Sequence, residues 1–368
     1  VEPRHAKLTI RQVSARGVVV PLGRPVATRV GMFTSWPLLL VDVGTEEGVT
    51  GRGYLAPYLP QSLRYLAAMV RDLGRRLAGG PAAPVAVTDG AQRSLTLLGN
   101  SGMTSMAIAG VDMACWDALA KARGVPLAVL LGGTLGPVPA YNSNGLGLAP
   151  PEGLADEALA LLAEGGFRGL KVRVGRERLE DDLAAVRNVR KAVGDQVLLM
   201  LDFNQGLTLG EAIRRCRALD GEGAAWIEEP LAYDDLPGNA RVARETGTPI
   251  QLGENFYGPR AMQDALAAQA CDLVMPDLMR IGGVTGWLRA AALAAAWGVE
   301  MSTHLYPEIS SHLMRVTPTA HWLEWQDWAH PVLAAPFPVK EGAIHPRDAA
   351  GNGLEWDEDA VRRYAVEC

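Results

Sequence analysis

A repeat that begins near Pro137 restricts the fold more than any other feature. Eight short apolar runs carry or stop at polar or charged residues: Val138–Ser143, Gly169–Val174, Val197–Asp202, Ala225–Glu229, Pro249–Glu254, Leu273–Asp277, Val299–His304 and Ala320–Glu324. Amphipathic stretches separate them, among them Ala155–Glu164, Leu179–Val193, Leu209–Leu219, Pro259–Ala270 and Thr285–Gly298. From Lys171 to Glu324 successive run ends lie 20 to 31 residues apart. That is the length of one strand, one helix and two loops, so the pattern predicts βα units on a parallel sheet. Eight such units close into a barrel whose working end is the C-terminal face of the strands. No room for a regular helix follows the eighth run. The chain passes through Pro331–Pro338 into a polar tail expected to return to the N-terminal region.

The first third has a different texture. Leu8–Arg16, Gly17–Pro21 and Leu38–Thr45 predict strands, and Pro60–Leu77 and Thr104–Arg123 predict helices. Between the strands, Gly23–Pro37 carries Met32, Phe33 and Trp36 and reads as a loop that packs internally or serves as a lid.

Composition narrows the partners. The formal charge of the 368-residue chain is −6 with no basic stripe, which argues against nucleic acid and anionic membranes. Cys115, Cys216, Cys271 and Cys368 share no metal-type spacing, as expected of thiols in a reducing cytosol. The longest apolar stretches, such as Ala290–Val299, are too short to cross a bilayer. Val1–Arg4 lacks the basic-then-apolar shape of a signal peptide. The expectation is a soluble cytoplasmic protein.

The strand ends carry the chemistry. Asp202, Glu228 and Glu254 close three consecutive runs and stand at one rim. An isolated acid there usually caps a helix, but three in phase would repel unless their pKa values rise or a cation sits among them. With oxygen donors alone, the expected occupant is a hard divalent ion, Mg²⁺ first. Lys171 and Arg173 are two residues apart and point to the same side of their strand, into the barrel if Leu170 and Val172 face the helices. His304 ends the seventh run and Asp277 the sixth; a histidine backed by a carboxylate on the neighbouring strand is a plausible general-base dyad. Glu324 completes the rim and could donate a proton if burial raises its pKa. His312 and His321 read as structural.

These residues resemble the mandelate racemase subgroup of the enolase superfamily. The matching stretches are Leu170–Gly175, Asp202–Gln205, Trp226–Pro230, Gly253–Asn255, Met275–Trp287, Met301–Ser310 and Thr317–Glu324, with a helix signature over Ala107–Asp117. The resemblance implies an α/β fold, a modified TIM barrel (β/α)₇β over 135–337 under an α+β cap over 1–134, with 338–368 returning to the cap. It implies Mg²⁺ on Asp202, Glu228 and Glu254, His304 and Asp277 as base dyad, and a hydrogen bond or proton from Glu324 to a substrate carboxylate. It sets Lys171 against that carboxylate, with Ser143 and Asn204 as supporting polar contacts. The 23–37 segment and Tyr54 would form the lid. Homo-oligomers are common among relatives.

One departure bears on the reaction. Where the racemising relatives have a second lysine, this chain has Arg173, and an arginine, with a pKa above ~12, is a poor proton shuttle. The favoured reading is an acid-sugar or hydroxy-acid dehydratase. In it His304 removes the α-proton of a 2-hydroxycarboxylate, giving a metal-stabilised enediolate, and the imidazolium then assists loss of a β-hydroxyl. A 2-hydroxy-acid racemase or epimerase is the alternative, and an inactive metal-binding homologue the third. Met32, Phe33 and Trp36 suggest an apolar lid, whereas Arg24 and Arg29 could pair with a second carboxylate or sugar hydroxyls.

Overall fold

The computed structural model describes residues 8–368; the Val1–Arg4 segment lies outside them. The N-terminal part is a four-stranded antiparallel sheet against helices. Its core is a long hairpin of β1 (Ile10–Thr28) and β2 (Gly31–Thr45), continued by β3 (Thr50–Leu55). The helix Met103–Arg123 packs on β3, and glycine is required there. A Cβ on Gly51 would lie 1.9 Å from the Ala114 carbonyl oxygen, and one on Gly53 2.8 Å from Met113 Cβ.

Two sequence expectations are corrected here. Gly17 does not separate two strands, because β1 runs unbroken through it. The glycine instead makes room for the chain's end, since a Cβ would meet Cys368 Sγ at 2.9 Å, and Gly17 pairs with Val366 of the short strand Ala365–Val366. Nor is 23–37 an irregular loop. It is the tip of the β1–β2 hairpin, with Thr28 opposite Gly31. A register shift between Pro21 and Val26 absorbs Gly23, Arg24 and Pro25, the residues whose composition suggests a loop.

The rest closes into a barrel. Its parallel strands are β4 (Val138–Asn142), β5 (Gly169–Arg173), β6 (Leu198–Asp202), β7 (Trp226–Glu228), β8 (Ile250–Leu252), β9 (Leu273–Val274) and β10 (Leu323–Trp325). The seventh stave is irregular and joins its neighbours by single parallel bridges, Val274 to Met301, Asp277 to His304 and Met301 to Ala320. β10 pairs with β4 and completes the circle. Helices follow each of the first seven staves and none the eighth, so the order is (β/α)₇β. Two of them, Leu236–Glu245 and Pro307–Met314, are not among the stretches named from the sequence, although the first is amphipathic, with Ala240 and Val242 buried and Arg241 exposed. The second is buried along its whole length, its Glu308, Ser310, Ser311 and His312 included, so no solvent-facing side sets a period.

Cap and barrel are joined by buried polar contacts. Asp112 accepts from Thr88 Oγ1 at 2.7 Å within the cap and from the Thr285 N–H at 2.9 Å in the barrel, and Trp116 Nε1 donates to Thr285 Oγ1 at 2.9 Å. Asp117 accepts from the N–H groups of Arg52 and Asn352, tying in the C-terminal segment. The cap is thereby held over the rim. All four cysteines are free, and no helix among the described residues is long and apolar enough to cross a membrane.

Candidate active site

The parallel register sets the rim. Arg173 pairs with Asp202 and Asp202 with Glu228, so strand pairing alone brings these charges side by side. Lys171, one inward-facing position earlier, extends its ammonium among the acids. It lies 2.9 Å from Glu228 Oε1, 3.2 Å from Asp202 Oδ2 and 2.8 Å from Glu324 Oε1. All four residues are buried.

This crowding controls ionisation. Burial, only partly offset by Lys171 and reinforced by Asp202 and Glu324, pushes the Glu228 carboxyl up to about 8. Burial works against Lys171 too, but Glu228, Glu324 and Asp202 outweigh it and raise its pKa well above the ordinary value. At Glu324 burial is overcome by Lys171 and then His304, and the carboxyl is held down at about 2. Its Oε2 accepts the Leu305 N–H at 3.0 Å, and the two facing cations oppose the burial on which its expected role as a proton donor depends.

His304 and Asp277 meet as the sequence suggests. Asp277 caps the short helix Leu278–Ile281, accepting from the Arg280 N–H on Oδ1 at 3.0 Å, while its Oδ2 stands 2.8 Å from His304 Nδ1. A carboxylate at Nδ1 keeps a proton there and presents Nε2 to the cavity. Leu305 and Tyr306, both at positive φ (51° and 54°), turn the chain sharply after the histidine. Burial would lower the imidazole pKa, but Glu254 and Glu324, and then Asp277, raise it to about 9. Glu254 Oε2 lies 3.4 Å from Nε2.

Arg173 has a different setting from Lys171. Its Nη1 donates to the Gly145 carbonyl at 2.6 Å and its Nη2 faces Ser143, at 3.3 Å from the carbonyl and 3.4 Å from Oγ. Its Nε has no partner. Ser143 thus positions Arg173. Asn204 likewise serves Asp202, its N–H donating to Oδ1 at 2.7 Å and its Nδ2 to Oδ2 at 2.9 Å.

The lid residues divide. Phe33 and Trp36 line the cavity with Thr28 and Val30, whereas Met32 points outward at 63% exposure. Arg29 holds the hairpin tip to the barrel by donating to the Gly206 carbonyl at 3.2 Å. Arg24 is paired with Glu164 at 2.8 Å. Neither arginine is among the residues that line the cavity. Tyr54 also lies off the cavity: it is stacked on Tyr306 and donates to Glu308 Oε2 at 2.7 Å. An inward position on β3 carries it to the cap–barrel seam. The tyrosine that does reach the cavity is Tyr58, whose hydroxyl is 3.3 Å from His304 Nε2. Gln326 and Trp328 complete the wall beyond β10. None of these three has a sequence signal, because they sit in irregular segments.

The residues suit a hard cation, though their geometry is not a finished coordination sphere. Among the described residues no three His, Cys, Asp or Glu side chains form a ready group of ligands; the Lys171 ammonium sits among the acids. Yet Glu228 Oε2 is buried with no hydrogen-bond partner, and Asp202, Glu228 and Glu254 are all-oxygen donors of the kind Mg²⁺ prefers. One ammonium does not balance these carboxylates, so the set fits a divalent ion.

Known proteins share this architecture. Residues 10–132 match the mandelate racemase / muconate lactonizing enzyme N-terminal domain, and 153–360 the enolase C-terminal domain-like family. The chain is 34% identical over 271 residues to the L-talarate/galactarate dehydratase of Salmonella typhimurium, covering 74% of this chain and 68% of that protein. A crystal structure of an enolase from alpha pretobacterium bal199 with bound Mg is 52% identical, with a TM-score of 0.96 over 98% of this chain and 100% of the other. An enolase from Bradyrhizobium complexed with magnesium and mandelic acid is 41% identical, with a TM-score of 0.95 over 99% and 100%. The chain belongs to the mandelate racemase / muconate lactonizing enzyme family of the enolase superfamily.

Proposed function

We propose that this protein is a Mg²⁺-dependent enzyme that removes the α-proton of a 2-hydroxycarboxylate, with dehydration to a 2-keto acid as the overall reaction. One observation carries the reading. The His304–Asp277 dyad, 2.8 Å apart, presents Nε2 to the cavity, while the other strand-end candidate for proton transfer is an arginine tied to backbone carbonyls. That is one base and one fixed cation, which favours elimination over two-sided proton transfer.

Asp202, Glu228 and Glu254 would hold the ion. When bound it supplies a positive field beside the substrate carboxylate, which makes the α-proton removable, and offsets the negative field that keeps His304 protonated. Asp277 fixes the imidazole tautomer, and His304 Nε2 takes the α-proton. Lys171 and Arg173 face the charge that develops on the enediolate. The protonated imidazole then assists departure of the β-hydroxyl. Loss of water leaves an enol that tautomerises to the keto acid.

The test is a panel of aldonic and aldaric acids with Mg²⁺, assayed for 2-keto product. His304→Asn is expected to lower both product formation and solvent-deuterium uptake at the α-carbon by about 10³-fold or more; unchanged turnover would remove the proposed base. A racemase is the second reading, favoured by the aromatic wall beside His304, which suits an aryl hydroxy acid without a β-hydroxyl. Deuterium entering both enantiomers of such an acid at equal rates would select it.

A further inference from the structure

Tyr58 belongs to the cap, between β3 and the helix Leu63–Leu77, yet its hydroxyl reaches the base of a barrel stave, 3.3 Å from His304 Nε2. Removal of an α-proton does not call for a phenol there. The ring is nonetheless held on several sides. Trp36 and Phe33 meet it edge-on with centroids at 4.9 and 6.2 Å, and the Arg280 guanidinium lies 5.0 Å above it. Arg280 is itself anchored, Nη1 donating to the Glu254 carbonyl at 2.8 Å and its N–H to Asp277 Oδ1 at 3.0 Å. The backbone of Tyr58 is left-handed, at φ 62°. That conformation costs a non-glycine residue free energy and persists where the surroundings over-determine it. A strained backbone, two aromatic neighbours and a cation fix one hydroxyl against the base.

We propose that Tyr58 is a further catalytic residue, which hands the proton to the departing β-hydroxyl. The proposal rests on the dehydratase reading above. The α-proton and the β-oxygen sit on neighbouring carbons, and Nε2 is committed to the first; a phenol one hydrogen bond away extends its reach to the second. The Cα–H bond breaks and its proton goes to Nε2. The Cβ–O bond breaks with its electron pair going to oxygen, and the Tyr58 O–H proton joins that oxygen to form water. The phenolate recovers a proton from the imidazolium, which restores both groups. The net change is loss of water, with no oxidant or reductant.

The experiment compares wild-type protein, Tyr58→Phe and His304→Asn in D₂O with Mg²⁺, using galactarate and gluconate as probes. Mass spectrometry follows both 2-keto product and deuterium in recovered substrate. Tyr58→Phe is expected to lose about 100-fold in keto-acid release while its recovered substrate becomes deuterated at the α-carbon. A merely structural role would lower exchange and elimination together. That result, or product release within about threefold of wild type, overturns the proposal. His304→Asn is expected to lose both readouts. If it retains exchange, the base assignment fails and the relay with it. A wild-type protein that exchanges the α-proton of these acids but releases no keto acid also overturns the relay.

Discussion

On one wall of the cavity Lys171 lies within 3.2 Å of three carboxylates and His304 is backed by a fourth. On the other wall Trp36 packs edge-on against Trp328, Tyr58 and Phe33 with centroids 4.4 to 5.8 Å apart. The polar wall grows from barrel strands whose register is locked by hydrogen bonds. The aromatic wall comes from the cap hairpin, the segment after β3 and the chain beyond β10. Charges that must act on a developing enediolate need fixed positions, which strands supply. A surface that selects substrates can be carried by irregular segments.

The largest effect is expected at Lys171. Lys171→Met leaves Asp202, Glu228 and Glu324 without their shared countercharge. Deuterium exchange should fall by about 10³-fold, and in metal-free buffer the protein should lose about 3–5 kcal/mol of stability by urea titration. Full retention of both would show that the acids do not depend on this cation. At the aromatic wall Phe33→Ala should raise KM about tenfold for any acid the enzyme turns over, ~1.4 kcal/mol of binding, while leaving kcat near wild type. A fall in kcat with KM unchanged would place Phe33 with the reacting groups instead.

Metal removal sharpens the polar side. In EDTA the imidazole of His304 should titrate near 9, as its field of Glu254, Glu324 and Asp277 dictates. Added Mg²⁺ should move that value down by a unit or more, about 1.4 kcal/mol per unit, read from the ring proton shifts by NMR. An unmoved value would place the ion away from the histidine.

The smallest effect concerns Glu308, behind the aromatic wall. Burial raises its carboxyl from 4.5 to about 7 despite the Tyr54 hydrogen bond. A raised folded pKa favours the protonated form, so the stabilisation is complete below pH 4.5 and is lost as pH rises through about 7. Wild type should therefore gain roughly 3 kcal/mol on Glu308→Gln between pH 7.5 and pH 4.5. A difference independent of pH would mean the carboxyl is ionised throughout.

The polar wall was legible in the sequence because parallel strands repeat. Asp202, Glu228, Glu254, Asp277, His304 and Glu324 each end a run, and a strand end in a barrel has one destination. The aromatic wall was half legible. Phe33 and Trp36 stood out as apolar residues in a glycine- and proline-bounded segment, but the register shift between Pro21 and Val26 breaks the simple alternation there: both line the cavity while Met32 turns outward. Tyr54 faces the Glu308 seam from β3, and it is Tyr58, four residues on, that reaches His304.

Strand periodicity and βα spacing are local properties, so the charged groups at the rim and their order around it can be read along the chain. How those charges are shared depends on the fold: Lys171 is taken up by three acids, Arg173 by carbonyls, Glu324 faces two cations, and Tyr58 comes across from the cap. Electrostatic fields and contacts between distant segments depend on separations of a few ångströms across the fold, and no local pattern along the chain encodes them.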